Sequence, residues 1–462
     1  MSEQARVMTA QAWAALGGDA QRLEQLRFHD AGALPSTFHV TPMASATIAT
    51  AGLALHAWIA SNGHDPGHVE VDSRLASMWF HDSIRPQGWT PPPLWDALAG
   101  DYAAQDGWIR LHTNAPAHRA AAQRVLGPHA DKTAMAAAVG SWSADALEQA
   151  VVEAGGCAAT MRSLPEWLEH PQGRAVNSEP LIHREAGAPS PHPLPAFDPL
   201  YPLAGVRVLD LTRVLAGPVA TRFLAGWGAQ VLRIDPPDWD EPGLAPEVTP
   251  GKRCARLDLH DSGDRTVFER LLADCDVLVH GYRTDALARL GYGMAERLRL
   301  CPGLIDVSLN AYGATGPWSG RRGFDSLVQM STGIAHAGMM RQGSAKPMPL
   351  PVQALDHGTG YLMAAAVLAA LAERKHSGQG AAARLSLART AHWLTGAGEQ
   401  SLDLESLASE SALDRRPDLE LTSWGPAQRL RSPLAVGGQR PHFSLPASAL
   451  GSAQASWRAR QG

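Results

Sequence analysis

Short apolar runs alternate with amphipathic stretches along the second half of the chain. Five of these runs are rich in leucine and β-branched residues, and they predict strands at residues 206–211, 230–235, 253–259, 276–281 and 304–309. Helical patterns separate most of the runs, as they do where a helix connects two parallel strands. Runs that are apolar on both faces are typical of strands covered by helices on both sides. The pattern therefore predicts an α/β fold with a mostly parallel sheet.

The first half of the chain also contains helix and strand patterns. Residues 106–127 are typical of a strand followed by a helix, and residues 143–156 of a helix that Ser143 caps and glycines end. Pro165 begins a further helix, because proline is tolerated in a first turn. The least polar stretch, residues 44–60, is short for a membrane span, so we interpret it as a buried helix.

Changes in composition divide the chain into five parts. Residues 1–80 form a helical segment, and residues 81–184 a small α/β domain. Proline and alanine replace the periodic pattern at residues 185–203, which predicts an extended linker. The sheet domain then occupies residues 204–398. Residues 399–462 are rich in serine, proline and arginine, and we expect them to form an irregular tail on the body of the protein.

Two segments of the chain follow a similar order of residues. Residues 43–80 and 356–394 both begin with an Ala-rich helix pattern and continue through a glycine, a strand pattern and a tryptophan. Aligning Gly67 with Gly380 gives an offset of 380 − 67 = 313 residues, which places Met43 opposite Asp356. The alternative is two unrelated helices, but the shared order favours a repeat whose first copy has lost the acid.

Charge and cysteine content narrow the class of protein. The net charge of −5 is spread over both halves, which argues against nucleic acid or an anionic membrane as the main partner. The cysteines are widely spaced and show no ligand pattern for a metal ion. We therefore expect reduced thiols, no metal site and a cytoplasmic protein without structural disulfides. The N-terminal residues lack the basic-then-apolar order of a signal peptide.

The turn after the first predicted strand of the sheet domain offers an anion site. Ala216, Gly217 and Pro218 begin a helix there, and Pro218 suits its first turn. A helix N-terminus presents unpaired N–H groups and the positive end of a dipole to a phosphate or a carbonyl oxygen. The turn is not the GxGxxG of nicotinamide and flavin proteins. An ordinary strand-to-helix turn is the simpler alternative.

Cationic residues stand near predicted strand and helix ends. Lys252 and Arg253 precede a strand, and Arg289 lies in the segment ALARLGYG. Such residues suit a ligand rich in phosphates, because arginine binds phosphates bidentately and lysine acts as a point charge. Solvated surface charge is the alternative interpretation for each of them.

Asp356 stands at the start of a long apolar helix pattern. As an N-cap it would accept backbone N–H bonds, which together with the helix dipole keep it ionised. An ionised carboxylate can attack a thioester carbonyl, which forms an acyl anhydride and releases a thiolate. Gly358 and Gly360 weaken a helix, so we expect another segment to approach its backbone closely there. Capping alone is the other interpretation.

The blocks from about residue 202 to residue 394 resemble the class III CoA-transferases, the superfamily of carnitine CoA-transferase, formyl-CoA transferase and α-methylacyl-CoA racemase. The matching blocks include PLAGVRVLDLTRVLAGP, GAQVLRID, DVLVHGYRTDALARLGYG and GFDSLVQMSTG. The resemblance implies a Rossmann-like, mostly parallel sheet domain, a smaller α/β domain and an interlocked homodimer. The N-terminal region resembles the small domain of the family, so the domain order is that of a permuted fusion.

The resemblance also implies roles for individual residues. The acid that matches Asp356 is the nucleophile of the family, which the CoA thioester acylates. The positions that line the CoA site of the family match Arg213, Val214, Leu215, Ala216, Lys252, Tyr282, Arg289 and Tyr312. The implied reaction moves CoA from an acyl-CoA to a carboxylic acid, through an aspartyl anhydride and an aspartyl-CoA thioester. Coenzyme A is then a substrate, with no tightly bound cofactor.

Two departures from the family patterns change the expected chemistry. Leu215 stands where formyl-CoA transferase has a glutamine, which argues against oxalate-type chemistry. Phe324 stands where the racemase branch has a histidine, which removes one of the two acid/base groups that a racemase needs. Racemisation would need another base near Asp356, and His357 and His336 are the candidates. The other alternative is a CoA-binding protein without turnover.

Overall fold

The N-terminal region is mainly helical. The computed structural model describes residues 2–30, 32–282, 286–401 and 403–459. The first elements are α1 (Ser2–Ala15), β1 (Leu26–His29), α2 (Val40–Ser61), β2 (Val69–Asp72), α3 (Ser73–Trp79) and β3 (Ile84–Pro86). α2 is buried along most of its length, as expected of a helix that is apolar on every face. The predicted buried helix at residues 44–60 is therefore confirmed.

A small three-stranded sheet with helices around it follows. Its elements are β4 (Gly100–Ala103), β5 (Trp108–Leu111), α4 (Pro116–Leu126), α5 (Lys132–Val139), α6 (Ala144–Glu153), β6 (Ala158–Thr160), α7 (Leu164–Glu169) and α8 (Pro171–Asn177). The strands pair antiparallel in the order β4-β5-β6. Ile109, Leu111 and Leu147 lie in the core of this unit. Pro165 lies in the first turn of α7, as predicted.

A seven-stranded sheet forms the centre of the protein. Its strands are β7 (His183–Pro189), β8 (Arg207–Leu211), β9 (Gln230–Asp235), β10 (Lys252–Arg256), β11 (Val277–His280), β12 (Ile305–Asn310) and β13 (Gln379–Ser386). The strand order is β10-β9-β8-β11-β12-β13-β7, and only β7 runs antiparallel to its neighbour. The predicted α/β fold with a mostly parallel sheet is confirmed, and each of the five predicted strands ends within three residues of an observed one.

Helices cover both faces of this sheet. The helices of this half of the chain are α9 (Ala216–Gly226), α10 (Ala245–Val248), α11 (Ser262–Ala273), α12 (Ala286–Arg289), α13 (Met294–Leu300), α14 (Asp325–Ser331), α15 (Ile334–Gln342), α16 (Ala354–Ser377) and α17 (Leu387–Gly396). Val208 and Val231 pack with α9 and α16 on one face. Leu209 and Leu232 pack with α11 on the other. Burial on both faces explains why these strands are apolar throughout.

α2 and α16 run side by side in the same direction. Met43 packs against Gly358 near their N-terminal ends. Near their C-terminal ends, Nζ of Lys375 donates to Oδ1 of Asn62 at 2.5 Å. Both helices are long and apolar enough to cross a membrane, but each is largely buried inside the protein. Their packing in the core accounts for their apolar composition.

The two copies of the predicted repeat have closely similar backbone caps. His39 and Gln353 cap α2 and α16 with φ/ψ angles of −71°/61° and −75°/64°. Asp72 and Ser386 each end a strand and cap the next helix with the side chain. The offsets are 353 − 39 = 314 and 386 − 72 = 314 residues. The backbone therefore aligns one residue away from the predicted offset of 313.

With an offset of 314 residues, a different residue of the N-terminal segment aligns with Asp356. This offset places Pro42, rather than Met43, opposite Asp356, since 356 − 314 = 42. Neither Pro42 nor Met43 carries an ionisable side chain. The N-terminal copy therefore lacks the acid in both alignments, and the origin of the two segments as a repeat stays a prediction.

Two predicted domain boundaries are wrong. β7 takes up residues 185–189 of the predicted linker and pairs with β13 at the edge of the sheet. An edge strand tolerates proline, so composition alone misidentified this strand as a linker.

The predicted irregular tail contains β14 (Glu420–Thr422), β15 (Gly425–Arg429) and β16 (Leu434–Val436). β15 pairs with β3 and β16 with β2, so the tail completes sheets that N-terminal residues begin. Strands this short leave little periodic signal.

Candidate active site

A cavity of about 480 Å³ lies along the carboxyl ends of the central strands. Its wall includes Leu211 at the end of β8, Tyr282 after β11 and Asn310 at the end of β12. β9 lies on one side of β8 and β11 on the other, so the strand order reverses at this cavity. Ligands of open α/β sheets bind at such points. The small domain completes the wall through α4, which contributes His118.

Asp356 lies in the wall of this cavity, at the third position of α16. Gln353 occupies the N-cap, so the prediction that Asp356 caps the helix is wrong. The residue is 8% exposed, and no hydrogen bond to its carboxyl oxygens is found in the part of the chain that the structure describes. Its backbone N–H donates to Oδ2 of Asp325 at 3.0 Å. The carboxyl group is therefore presented to the cavity rather than to its own helix.

The surroundings of Asp356 favour its protonated form. Burial raises the pKa of Asp356 well above its usual range, and the neighbouring carboxylate of Asp325 raises it further. Burial also raises the pKa of Asp325, but the backbone N–H groups of Asp356 and Leu355 and the amide of Gln329 donate to it. When the two carboxyl groups share a single negative charge, that charge therefore lies on Asp325. The predicted ionised Asp356 is contradicted, because burial outweighs the helix dipole.

Two glycines let other elements approach α16 closely. A Cβ atom at Gly358 would overlap Cε of Met43, and a Cβ atom at Gly360 would overlap the carbonyl oxygen of Ala216. The predicted close approach at both glycines is confirmed. It brings the N-terminus of α9 against the first turns of α16, so that Ala216 and Asp356 line the same cavity.

The turn between β8 and α9 is held in a strained conformation. Val214 has a φ of 65°, which is unfavourable for a β-branched residue. Its N–H donates to Oε2 of Glu241 at 2.8 Å, and Glu241 also pairs with Arg233. Asp235 holds Arg233 in turn at 2.8 Å. This buried network fixes the backbone that leads into Ala216 and the N-terminus of α9. Such strain persists only where the surrounding structure holds it.

Arg213 is stacked between two aromatic rings in the wall of the cavity. Its guanidinium carbon lies 4.7 Å from the ring centre of Trp239 and 5.5 Å from that of Tyr282. Its Nη2 donates to the hydroxyl of Tyr282 at 3.3 Å. No carboxylate within residues 2–30, 32–282, 286–401 and 403–459 forms an ion pair with Arg213. Its other N–H groups are therefore available to an anion in the cavity.

Six of the nine predicted site residues line the cavity, namely Arg213, Val214, Leu215, Ala216, Tyr282 and Asp356. Arg289 is exposed on α12 and is not part of the wall. Tyr312 is buried, with its hydroxyl 3.1 Å from Oγ of Ser331 and its ring centre 5.1 Å from that of Trp318. Neither residue is part of the cavity wall, so the predicted contacts of Arg289 and Tyr312 with the ligand stay predictions.

Lys252 is buried behind the cavity wall and stabilises the turn between β8 and α9. Its Nζ lies 3.1 Å from Oδ2 of Asp210, 2.9 Å from the carbonyl oxygen of Pro218 and 2.7 Å from Oγ1 of Thr221. Lys252 and Asp210 are both almost fully buried, so each charge depends on the other. These bonds tie the end of β8 to the first turn of α9. Lys252 is buried and is not part of the cavity wall, so its predicted contact with CoA stays a prediction that this arrangement does not support.

Sequence reasoning missed two residues of the site. Asp325 lies within the block GFDSLVQMSTG, but only the fold brings it within hydrogen-bonding distance of Asp356. His118 reaches the cavity from the small domain, and its ring centre lies 5.8 Å from that of Phe324. The sequence did not indicate that His118 belongs to the site, because a surface helix such as α4 carries many polar residues.

Neither histidine that was predicted as a second base lines the cavity. His357 is fully buried, and its ring centre lies 5.0 Å from that of Phe80. Both of its ring nitrogens lack a hydrogen-bond partner, and burial lowers its pKa to about 3. His336 lies on α15, outside the wall of the cavity. The structure therefore offers no support for either histidine as a base at this site.

Comparison with known proteins finds a family that the sheet domain resembles. Residues 203–413 match the family model of CoA-transferase family III. These residues carry Arg213, Asp325 and Asp356 together with most of the cavity wall. This part of the chain is therefore similar to CoA-transferase family III.

Several characterised relatives share this region. The chain is 29% identical to an acyl-CoA transferase of Gibberella moniliformis, over 62% of this chain and 54% of that protein. It is 33% identical to succinyl-CoA:glutarate CoA-transferase of Mus musculus, over 40% and 44%. It is 32% identical to acetyl-CoA:oxalate CoA-transferase of Acetobacter aceti, over 40% and 50%. The chain thus spans about half the length of the curated relatives it matches.

Two solved structures match part of the chain. The crystal structure of Rv3272 from Mycobacterium tuberculosis is 31% identical in sequence, with a TM-score of 0.40. The superposition covers 43% of this chain and 57% of that one. A CAIB/BAIF family protein from Brucella suis is 23% identical, with a TM-score of 0.37, over 49% and 65%.

Proposed function

We propose that the chain transfers CoA from an acyl-CoA thioester to a carboxylic acid, with Asp356 as the nucleophile. The observation that carries this proposal is the carboxyl group of Asp356, which faces the cavity without a hydrogen-bond partner among the described residues. A buried acid without partners lowers the stability of the fold, so its retention favours a chemical role. The match of residues 203–413 to CoA-transferase family III supports the same reaction class.

The proposed reaction proceeds in four substitutions at acyl carbons. Asp356, once ionised, attacks the donor thioester, which forms a mixed anhydride and expels CoA thiolate. The thiolate attacks the aspartyl carbonyl, which gives an aspartyl-CoA thioester and releases the donor acid as a carboxylate. The acceptor carboxylate attacks this thioester, which forms a second anhydride and again expels the thiolate. The thiolate then attacks the acceptor carbonyl, which forms the new acyl-CoA and regenerates the Asp356 carboxylate.

The N-terminus of α9 is suited to stabilise the oxyanion of each step. The first N–H groups of a helix have no partner within it, and they carry the positive end of the helix dipole. Leu215 and Ala216 line the cavity at this point, and Ala216 packs directly against Gly360 of α16. Donors that are fixed before the reaction stabilise a developing charge without reorganisation. The strained Val214 and the buried Lys252 hold this turn in place.

Arg213 is the residue best placed to bind the phosphates of CoA. Its guanidinium is fixed by Trp239 and Tyr282 and faces the cavity with unpaired donors. Arginine binds phosphate bidentately through such donors. A homodimeric state and a cytoplasmic location, both expected from the sequence, stay predictions.

Mass spectrometry of the intact protein tests this proposal. The protein is incubated with a panel of acyl-CoAs, and the products are mapped by peptide analysis with and without hydroxylamine. An acyl or CoA adduct on Asp356 that hydroxylamine removes is the expected result, and Asp356→Asn should abolish it. Asp238→Asn is the matched control, because Asp238 is a second acid in the wall of the same cavity. Bound CoA without any adduct across the panel would favour a binding protein without turnover.

A further inference from the structure

A basic group of residues lies in the cavity wall beside the small domain. Arg322 and His118 both line the cavity, and Phe324 lies next to His118. Nη1 of Arg322 donates to the carbonyl oxygen of Gly155 at 3.0 Å, which orients the side chain. No carboxylate in the described parts of the chain forms an ion pair with Arg322. The guanidinium therefore carries an uncompensated charge at this end of the wall.

The neighbouring Arg321 differs from Arg322 in this respect. It lies 2.9 Å from Oε1 of Glu148, and its guanidinium carbon lies 3.9 Å from the ring centre of Trp318. Its charge is thus already balanced by an acid of the small domain. Of two consecutive arginines in the wall, only Arg322 is open to a bound anion.

His118 is suited to donate a hydrogen bond to the same anion. Burial and, to a smaller extent, the charge of Arg322 together lower the pKa of His118 to about 4, so the ring is neutral. Nδ1 is buried without a partner. Because a buried N–H without an acceptor is costly, the proton is expected on Nε2, which is not among the buried unpaired atoms. His118 then offers one N–H beside the guanidinium.

The chain connects this basic group directly to the reacting acid. Arg322, Phe324 and Asp325 are adjacent in one segment, and Asp325 accepts the backbone N–H of Asp356. The ring of Phe324 is fixed by His112, which stacks on it with 3.8 Å between ring centres and 4° between ring planes. The wall therefore presents an acid for acyl transfer, then an apolar ring, then an anion-binding group.

We propose that Arg322 and His118 form a second carboxylate-binding subsite, which makes dicarboxylic acids and their CoA thioesters the preferred substrates. One carboxyl group reacts at Asp356, the carbon chain passes Phe324, and the other carboxylate binds Arg322 and His118. Arginine binds carboxylates bidentately, and a neutral imidazole adds a donor without competing charge. This inference rests on the proposed transfer reaction.

A phosphate of CoA is the other anion that this group could hold. Arg213, with Trp239 and Tyr282, already forms a separate cationic site at the ends of β8 and β11. If the phosphates of CoA bind at Arg213, then Arg322 and His118 remain available for the second carboxylate of the substrate. The two assignments differ in their consequences, because a phosphate contact affects every acyl-CoA alike, whereas a carboxylate contact affects only dicarboxylic substrates.

Matched substrates distinguish the two assignments. Glutarate is compared with pentanoate as acceptor, and succinyl-CoA with butyryl-CoA as donor, in wild type and in Arg322→Gln. We expect kcat/KM for the dicarboxylic member of each pair to fall about 10- to 100-fold, the usual value of a charge-assisted bond. The monocarboxylic member should change less than about 3-fold. Arg322→Lys should recover part of the loss, since it restores the charge without the bidentate geometry.

Arg124→Gln is the matched control for this substitution. Arg124 is an exposed arginine of α4 that donates to the carbonyl oxygen of Ala154 at 2.6 Å, one residue from the partner of Arg322. It does not line the cavity, so both substrate pairs should be unaffected. An equal loss for monocarboxylic and dicarboxylic substrates in Arg322→Gln would assign Arg322 to CoA and overturn the proposal. No loss for either would make it an ordinary surface charge.

Two further outcomes separate this inference from the transfer reaction itself. Formation of the Asp356 adduct with a wild-type preference for monocarboxylic substrates would overturn the subsite and leave the transferase proposal intact. If no adduct forms, titration calorimetry of the CoA-bound protein with glutarate and with pentanoate supplies a readout without turnover. Tighter binding of glutarate that Arg322→Gln removes would support the subsite, and equal binding of the two acids would contradict it.

Discussion

The backbone N–H of Asp356 donates to the carboxylate of Asp325 at 3.0 Å, so that a buried acid lies directly behind the acid that lines the cavity. The bond stabilises the charge of Asp325 and offers nothing to the carboxyl group of Asp356. Two carboxyl groups this close do not ionise independently, and the second proton leaves only at a higher pH. Together with burial, this relationship raises the pH at which the carboxyl group of Asp356 ionises, and the proposed reaction needs that ionised form.

The rate of Asp356 acylation should rise with pH, and Asp325→Asn should shift this rise to lower pH. Burial and the charge of Asp325 both raise the pKa of Asp356, and the substitution removes the second of these causes. An asparagine oxygen can still accept the backbone N–H of Asp356, while its NH2 group replaces the oxygen that accepts from the amide of Gln329. Stopped assays of adduct formation across pH 4–9 check this, with Asp238→Asn as a control that leaves the profile in place. A profile that does not move would show that burial alone sets the pKa.

Asp356→Asn should stabilise the protein at alkaline pH more than at acidic pH. The folded state holds the proton of Asp356 above the pH at which the unfolded chain releases it, because burial and then Asp325 raise this pKa. Wild type therefore loses stability as pH rises from the unfolded pKa towards the folded one. Asparagine does not titrate, so its advantage should grow over that range to about 1–3 kcal/mol. Urea unfolding at pH 5 and pH 8 measures it, and an equal difference at both values would contradict it.

The elements of the central sheet are predictable because their signals are local. Each of the strands β8, β9, β11 and β12 is one apolar run, and the start of α16 follows from the pattern around Asp356. The neighbours of Asp356 are not predictable in this way. Only the packing of separate elements brings Asp325 to the backbone of Asp356 and His118 to the cavity, and no spacing in the sequence records that packing.

The burial of Lys252 also could not be predicted from the sequence. A lysine before a strand is most often exposed, and the resemblance to the family placed this one at the ligand. Its burial depends on Asp210, which lies 42 residues earlier in the chain. The strands of the C-terminal region could not be predicted from the sequence for a related reason. Each has three to five residues, and the pairing of β15 with β3 and of β16 with β2 joins segments that are far apart in the sequence.

Lys252→Met should cost stability rather than affinity for CoA. The substitution leaves the carboxylate of Asp210 buried without its main counter-charge, which costs about 3–5 kcal/mol. Urea unfolding measures the loss, and the KM for acyl-CoA of the fraction that remains folded should change little. Lys375→Met is the control, because Lys375 is exposed and bonds only to Asn62; its effect should stay within about 0.5 kcal/mol. A raised KM at unchanged stability would restore Lys252 as a ligand contact.

Gly358→Ala should destabilise the protein, and the cost should depend on Met43. A Cβ atom at position 358 would overlap Cε of Met43, so α2 and α16 must separate or Met43 must change rotamer, at about 1–3 kcal/mol. Met43→Ala alone removes a fully buried side chain and should cost about 2–5 kcal/mol. In the double variant the new methyl group occupies space that Met43 has left, so the combined loss should be smaller than the sum of the two.

The difference between that sum and the measured loss is the coupling energy between the two helices at this point. Gly396→Ala is the matched control, because a Cβ atom at Gly396 meets no other atom within 4 Å and should leave stability nearly unchanged. Additive losses in the double variant would mean that α2 and α16 are not in contact at Gly358. Coupled losses would show that α2 and α16 pack against each other two residues from Asp356.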